Sequence, residues 1–270
     1  MIPFSSRSSR TRDSPTLPNV IIVAAADPQD LADQAGALIL SRITAALRAR
    51  GRARVILAGG GTPRLTYGVI AAGLAGSGEL QHLSWFLGDE RWVPADHPES
   101  NEGMARAALL GPLHVSEEDI HSWRAGAGDP VSCAAAYARV VARLMGSAQD
   151  APDVLVLGMG ADGHTASLFP GATARGPGGQ SVPVGPSLAG VAAAIEPSAG
   201  RGWRLTLCPD ILCRSRCVVF LVTGAEKAPA LTRASSGDTA TPAAWIRGGE
   251  TLFFATRDVV EGGQGGTRHA

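Results

Sequence analysis

The stretch Pro152-Asp-Val-Leu-Val-Leu-Gly-Met-Gly-Ala-Asp-Gly-His-Thr-Ala-Ser-Leu-Phe-Pro-Gly171 decides how the rest of the chain is read. Val154 to Leu157 is a short unbroken apolar run, the pattern of a strand covered on both faces in a parallel sheet. Glycines at 158, 160 and 163 then permit a sharp exit, because glycine reaches backbone angles that other residues adopt only at a cost. Asp162 and His164 sit in that exit, with Thr165 and Ser167 just beyond. A titratable pair on a glycine-rich loop at the carboxyl end of a buried strand is where open α/β sheets place their chemistry. The plainer alternative is a turn with a surface histidine. What favours a site is that other stretches repeat the same plan.

The 270 residues suffice for one large domain or two small ones. Lys plus Arg and Asp plus Glu are 24 each, so the formal net charge is zero. That argues against general attraction to nucleic acid or to an anionic membrane. No apolar run approaches the roughly 20 residues that span a bilayer. Cys133, Cys208, Cys213 and Cys217 form no Cys-x-x-Cys pair and lack His partners at zinc spacing, so no metal site is expected. They read as small buried thiols in a reducing compartment, which points to the cytoplasm. The serine- and arginine-rich segment 1–18 has no apolar core of a secretory signal and is expected to be a disordered tail.

Taken in order, Asn19 to Ala25 is a first strand. Asp27 and Pro28 supply a cap and a first-turn proline for a helix to Arg50, with Leu31, Ala35, Leu38, Ile39, Ile43 and Leu47 on one face and Gly51 ending it. Val55 to Ala58 runs into Gly59-Gly-Gly-Thr-Pro63, where consecutive N–H groups and the start of a helix, capped by Thr62 and opened by Pro63, favour an anion site at Gly60, Gly61 and Thr62 over a merely tight turn. This is neither a P-loop nor a dinucleotide fingerprint, so no nucleotide is inferred. Leu83 to Leu87 exits into Gly88-Asp-Glu-Arg-Trp-Val-Pro94. Arg91 offers a planar fork to a phosphate or an oxyanion, unless Asp89 and Glu90 simply pair with it on the surface.

Ser100-Asn101 caps a helix through Leu110, and Asn101 can turn its amide toward the same cleft. Ser132 to Met145 is amphipathic. Residues 172–200 read as a long surface loop around a short strand at Val191 to Ile195, and Trp203 to Leu207 alternates like a half-buried strand. Val218 to Val222 is buried and ends in Thr223-Gly224. Lys227, in the first turn of the next helix, opposes the helix dipole unless an anion is bound there. Thr251 to Ala255 is the last strand. The sum is a doubly wound, mostly parallel α/β sheet with helices on both faces, one domain over 19–261, and a short tail over 262–270. Four polar or glycine-rich exits converge on one small anionic, phosphorylated ligand.

Together Gly59-Gly-Gly-Thr-Pro63, Asp89-Glu-Arg-Trp-Val-Pro94, Ser100-Asn101, Leu157 to Gly171, Arg204-Leu-Thr-Leu207 and Gly224-x-x-Lys227 resemble the 6-phosphogluconolactonase family, over residues 19 to about 260. The resemblance implies a sheet shared with glucosamine-6-phosphate deaminases. It implies hydrolysis of 6-phosphoglucono-δ-lactone to 6-phosphogluconate with neither a metal nor an organic cofactor. It makes His164 the general base, oriented by Asp162, and Arg91 a charge-stabilising or substrate-binding residue. Arg204 and Lys227 would hold the phosphorylated sugar lactone, with the Gly60 to Thr62 loop, Asp89 and Asn101 nearby. A monomer or weak homodimer is expected. Ser167 as a nucleophile lacks an elbow motif. A deaminase is disfavoured because its Phe-Asn-Glu-Pro-Gly run is here Ser167-Leu-Phe-Pro-Gly171, and no DNA-binding element accompanies a sensor role. The charge-poor, Gly- and Pro-rich segment 172–200 departs from the usual family pattern.

Overall fold

Alternating apolar runs and capped amphipathic segments produce alternating strands and helices. The structure, a computed structural model, describes residues 20–264 except 127, 177 and 199; the expected 1–18 tail, Asn19 and residues 265–270 lie outside the described residues. The first half comprises β1 (Val20–Ala25), α1 (Pro28–Arg50), β2 (Ala53–Leu57), α2 (Gly61–Leu74), β3 (Leu83–Leu87), β4 (Asp89–Arg91), α3 (Asn101–Ala105), β5 (Ile120–His121) and α4 (Pro130–Met145). The second comprises β6 (Val154–Gly158), β7 (Thr173–Arg175), β8 (Ser181–Pro183), β9 (Ala192–Ile195), β10 (Arg204–Leu207) and α5 (Pro209–Leu212). It ends with β11 (Cys217–Val222), α6 (Ala228–Ser236), α7 (Pro242–Trp245), β12 (Glu250–Thr256) and α8 (Arg257–Gln264).

The caps of α1 are those its sequence supplies. Asp27 accepts from the N–H groups of Gln29 and Asp30 at 2.9 Å each, and Gly51 at φ 68° returns its N–H to Leu47. Helix α3 is capped by the Ser100 hydroxyl and continues through Leu110 as a wider π-helical turn.

Seven strands form one wholly parallel sheet in the order β1-β12-β11-β6-β2-β3-β5. Its central strand is apolar on both faces: Val154, Leu155, Val156 and Leu157 of β6 are all buried, each contributing about 1.5–3 kcal/mol of apolar burial. From β2 the chain moves outward to β3 and β5, then returns to the other side of β2 for β6, β11 and β12. Right-handed crossovers therefore put α1, α2 and α3 on one face and α4, α6 and α8 on the other. Contacts of α1 with α2, and of α6 with α8, agree with this. The reversal between β2 and β6 opens a crevice at their carboxyl ends, the expected ligand position in such sheets.

A second sheet departs from the sequence reading. Strands β4, β10, β9, β7 and β8 pair antiparallel in the order β4-β10-β9-β7-β8. The strand expected at Val191 to Ile195 is β9, and within the segment expected as loop around it β7 and β8 are two further short strands. Strands of three or four residues broken by Gly and Pro are too short to show a period. Nor do Asp89 to Arg91 form a free strand exit: they lie opposite Arg204 to Thr206, with Arg91 across from Arg204. Gly88 joins the two sheets, donating to Leu57 and accepting from Leu207 at 2.8 Å each. Helix α8 runs to Gln264, past the Gly262 where a tail was expected. Among the described residues no helix is long and apolar enough to cross a membrane.

Candidate active site

A cleft of about 270 Å³ opens at the switch point between β2 and β6. Gly60, Gly61, Thr62, Asp89, Arg91, Asn101, His164 and Lys227, all singled out in the sequence, line it, together with Gly160, Ala166 and Leu221. Asp162 stands behind His164, and Arg204 stands beside Arg91 on the neighbouring strand.

The loop after β6 is folded around its histidine. The Gly160 N–H donates to the His164 carbonyl at 3.0 Å, and the Gly163 N–H to the Gly160 carbonyl at 3.0 Å. A side chain at 160 would begin 2.1 Å from His164 Nδ1, so only glycine lets the imidazole lie over the backbone there. Asp162 Oδ1 takes both the His164 backbone N–H at 3.0 Å and Nδ1 at 2.5 Å. An ionised carboxylate only accepts, so the neutral imidazole carries its proton on Nδ1 and leaves the lone pair on Nε2. Burial pushes the Asp162 carboxyl up, but the His164 N–H, its ring and Arg201 outweigh it, so Asp162 titrates below the usual range.

A buried carboxylate floor lies beneath. Asp89 receives the Ser167 hydroxyl at 2.8 Å on Oδ2 and the Asn101 amide at 3.2 Å on Oδ1. Burial raises its pKa, against the opposing pull of Ser167, Arg91, His164 and Arg204. Glu90 is nearly inaccessible and accepts from the N–H groups of Arg91, Asn101 and Glu102 at 2.7–2.8 Å and from the Ser100 hydroxyl at 3.0 Å. It holds the start of α3 and so the position of Asn101; burial raises its pKa as well.

The alternative in which Asp89 and Glu90 pair with Arg91 on the surface is therefore excluded. Both are buried, and the Arg91 guanidinium instead donates to the Glu99 carbonyl at 2.5 Å. Ser167, at 1 % exposure with its hydroxyl donated to Asp89, is not placed as a nucleophile.

The cleft lining carries positive groups from two different parts of the fold. One is the α2 start, where Gly60 at φ 106° precedes the free N–H groups of the first turn, with Lys227 alongside. Thr62 does not cap this helix, as its sequence position implied; its hydroxyl meets that of Thr223 at 2.8 Å, tying the loop after β2 to the loop after β11. Lys227 itself ends a 3₁₀ turn and precedes α6. The other is the Arg91–Arg204 pair, where burial first and then Arg91 lower the Arg204 pKa. Among the described residues none of Arg91, Arg204 and Lys227 has an ion-pair partner. Two of these unpaired cations, Arg91 and Lys227, line the same cleft, a setting that suits an anion. Among the described residues no three His, Cys, Asp or Glu side chains cluster as metal ligands.

Sequence reasoning missed Glu90 as a structural acceptor, Thr223 as the partner of Thr62, and Arg201. A Thr followed by Gly after a buried strand was a usable signal for Thr223. A lone Arg in a Gly-rich segment gave none for Arg201.

Residues 26–254 match the family model for glucosamine-6-phosphate isomerases and 6-phosphogluconolactonase. A 6-phosphogluconolactonase of Synechocystis is 38% identical over 206 residues, covering 75% of this chain and 80% of the relative. That of Mycobacterium tuberculosis is 35% identical over 248 residues, covering 87% and 94%. The crystal structure of 6-phosphogluconolactonase from Thermotoga maritima superposes with TM-score 0.74 at 26% identity, covering 88% of this chain and all of that one. The enzyme from Trypanosoma brucei does so with TM-score 0.71 at 30% identity, covering 90% and 98%. A monomeric glucosamine-6-phosphate deaminase, at TM-score 0.72 but 18% identity, shares the fold. The resemblance read from the motifs is borne out: the chain belongs to the glucosamine-6-phosphate isomerase/6-phosphogluconolactonase family.

Proposed function

We propose that this protein hydrolyses 6-phosphoglucono-δ-lactone to 6-phosphogluconate, with His164 activating the attacking water. The observation that carries the reading is the Asp162–His164 contact, which engages Nδ1 and leaves Nε2 for a cleft that Arg91 and Lys227 also line. The names of the relatives at 35–38% identity support the substrate.

The Gly60–Thr62 turn and Lys227 take the phosphate, since a helix start and an ammonium suit a dianion. The sugar then extends toward His164, with Asp89 and Asn101 below it. His164 Nε2 removes a proton from water as the oxygen bonds to C1. The carbonyl π pair moves to oxygen, and Arg91, flanked by Arg204, faces that oxyanion. Collapse re-forms the carbonyl and breaks the bond from C1 to the ring oxygen, which takes the proton back from the imidazolium. The acid formed then loses its own proton to solvent. The product is a dianionic phosphate with a new carboxylate, matched by the two cationic groups. The reading places this work in the cytoplasm.

A deaminase reading has no comparable support. Leu168 and Phe169, where that family's Asn-Glu would stand, are buried and apolar.

The test is hydrolysis of freshly generated lactone above its spontaneous rate. A clear wild-type rate that falls about a hundredfold or more in His164→Ala is expected. A wild-type rate no better than background sinks the reading.

A further inference from the structure

The Phe169 ring lies 4.6 Å from the His164 ring, centroid to centroid, with a tilt of 40°. The guanidinium carbon of Arg201 lies 4.1 Å from the centre of that same Phe169 ring, well within cation–π range. Phe169 is 6 % exposed, so it transmits contact rather than yielding to it. Arg201 is half-buried and, among the described residues, forms no ion pair, although its charge also acts on Asp162. Its backbone is anchored as well: Arg201 and Ser198 exchange both N–H to carbonyl bonds, at 2.9 and 3.1 Å.

Asp162 holds His164 through one oxygen, Oδ1, at one edge of the imidazole. A single-point contact fixes a distance and a tautomer but leaves the ring free to pivot. A further surface is needed beside the Gly160 backbone to fix the plane in which Nε2 points, and Phe169 supplies it.

We propose that Arg201 is a positioning residue for His164: its guanidinium, stacked on Phe169, sets that ring against the imidazole and thereby aims Nε2 into the cleft. The catalytic effect rests on His164 acting as the base; the effect on its geometry does not. Because the contact is with a ring face, a lysine at 201 keeps part of it, whereas alanine removes it.

The experiment compares Arg201→Ala, Arg201→Lys and Phe169→Leu by steady-state kinetics and by NMR of the His164 ring protons in the ligand-free enzyme, assigned by their loss in His164→Gln. Arg201→Ala should lower kcat roughly three- to tenfold with KM within about twofold, and Arg201→Lys should recover a good part of it. The His164 ring resonances should move in Arg201→Ala and Phe169→Leu, through the altered ring current of Phe169. Unmoved resonances in a folded Arg201→Ala protein would overturn the proposal. So would a raised KM at unchanged kcat, which would make Arg201 a substrate contact. If His164→Ala is itself fully active, the base assignment fails while the resonances still decide the positioning.

Discussion

One oxygen of Asp162, Oδ1, accepts from both the backbone N–H and the ring Nδ1 of His164, so a two-residue spacing closes into a direct contact. Asp162→Asn keeps the shape but loses the charge that favours the Nδ1–H tautomer. Its kcat should fall about 10- to 100-fold with KM little changed. The Asp162 carboxyl is held below its usual range, so its contribution is present above that range and is lost only as pH falls through the lowered value. An acid limb of kcat/KM at mildly acidic pH therefore should not come from Asp162, and it should persist in the variant.

Ser167→Ala separates a floor residue from a nucleophile. It leaves buried Asp89 with one hydrogen bond fewer, which should cost about 1–3 kcal/mol of stability in denaturant titrations. Activity should stay within about tenfold of wild type, and mass spectrometry of quenched reactions should find no acyl-enzyme.

Glu90 is expected to matter for stability. Glu90→Gln turns an amide N–H₂ toward donors and should destabilise by about 1–3 kcal/mol at neutral pH. The pH sign is specific. A carboxyl with a raised folded pKa binds its proton longer in the folded state, so its ionisation lowers stability as pH rises from the ordinary 4.5 to the raised value. Urea midpoints from pH 4 upward should show that falling component in wild type and not in the variant.

The two cationic groups should separate kinetically. Lys227→Ala should raise KM, and the inhibition constant of inorganic phosphate with it, by about 10- to 100-fold at similar kcat. Arg91→Ala should lower kcat about 10²- to 10³-fold. A variant pair that behaved alike would contradict the assignment of phosphate to one group and oxyanion to the other.

The parallel core was legible because each of its longer strands announces itself: Val154 to Leu157 and Val218 to Val222 are apolar on both faces and end in glycine. The cap at Asp27 and the stop at Gly51 were equally local. The antiparallel sheet was not legible, since β4, β7 and β8 have three residues each and their pairing depends on distant segments. Most of the cleft came through because its residues sit at strand exits. What sequence could not show was the contact that joins exits: Ser167 to Asp89, Thr62 to Thr223, and Arg201 to Phe169 lie 78, 161 and 32 positions apart by their numbers.

Gly88 is the one residue of β3–β4 that bonds to both sheets, through its N–H to Leu57 and its carbonyl to Leu207. The imidazole and the Gly60–Thr62 turn follow strands of the larger sheet, while Arg91 and Arg204 ride on the smaller. The smaller sheet, built of short strands, can fray at a lower free energy than the larger one. Mild denaturant or heat should thus silence the enzyme while the apolar centre is still intact. Amide exchange should report it as early deuteration of Arg91 and Arg204 beside a protected β6.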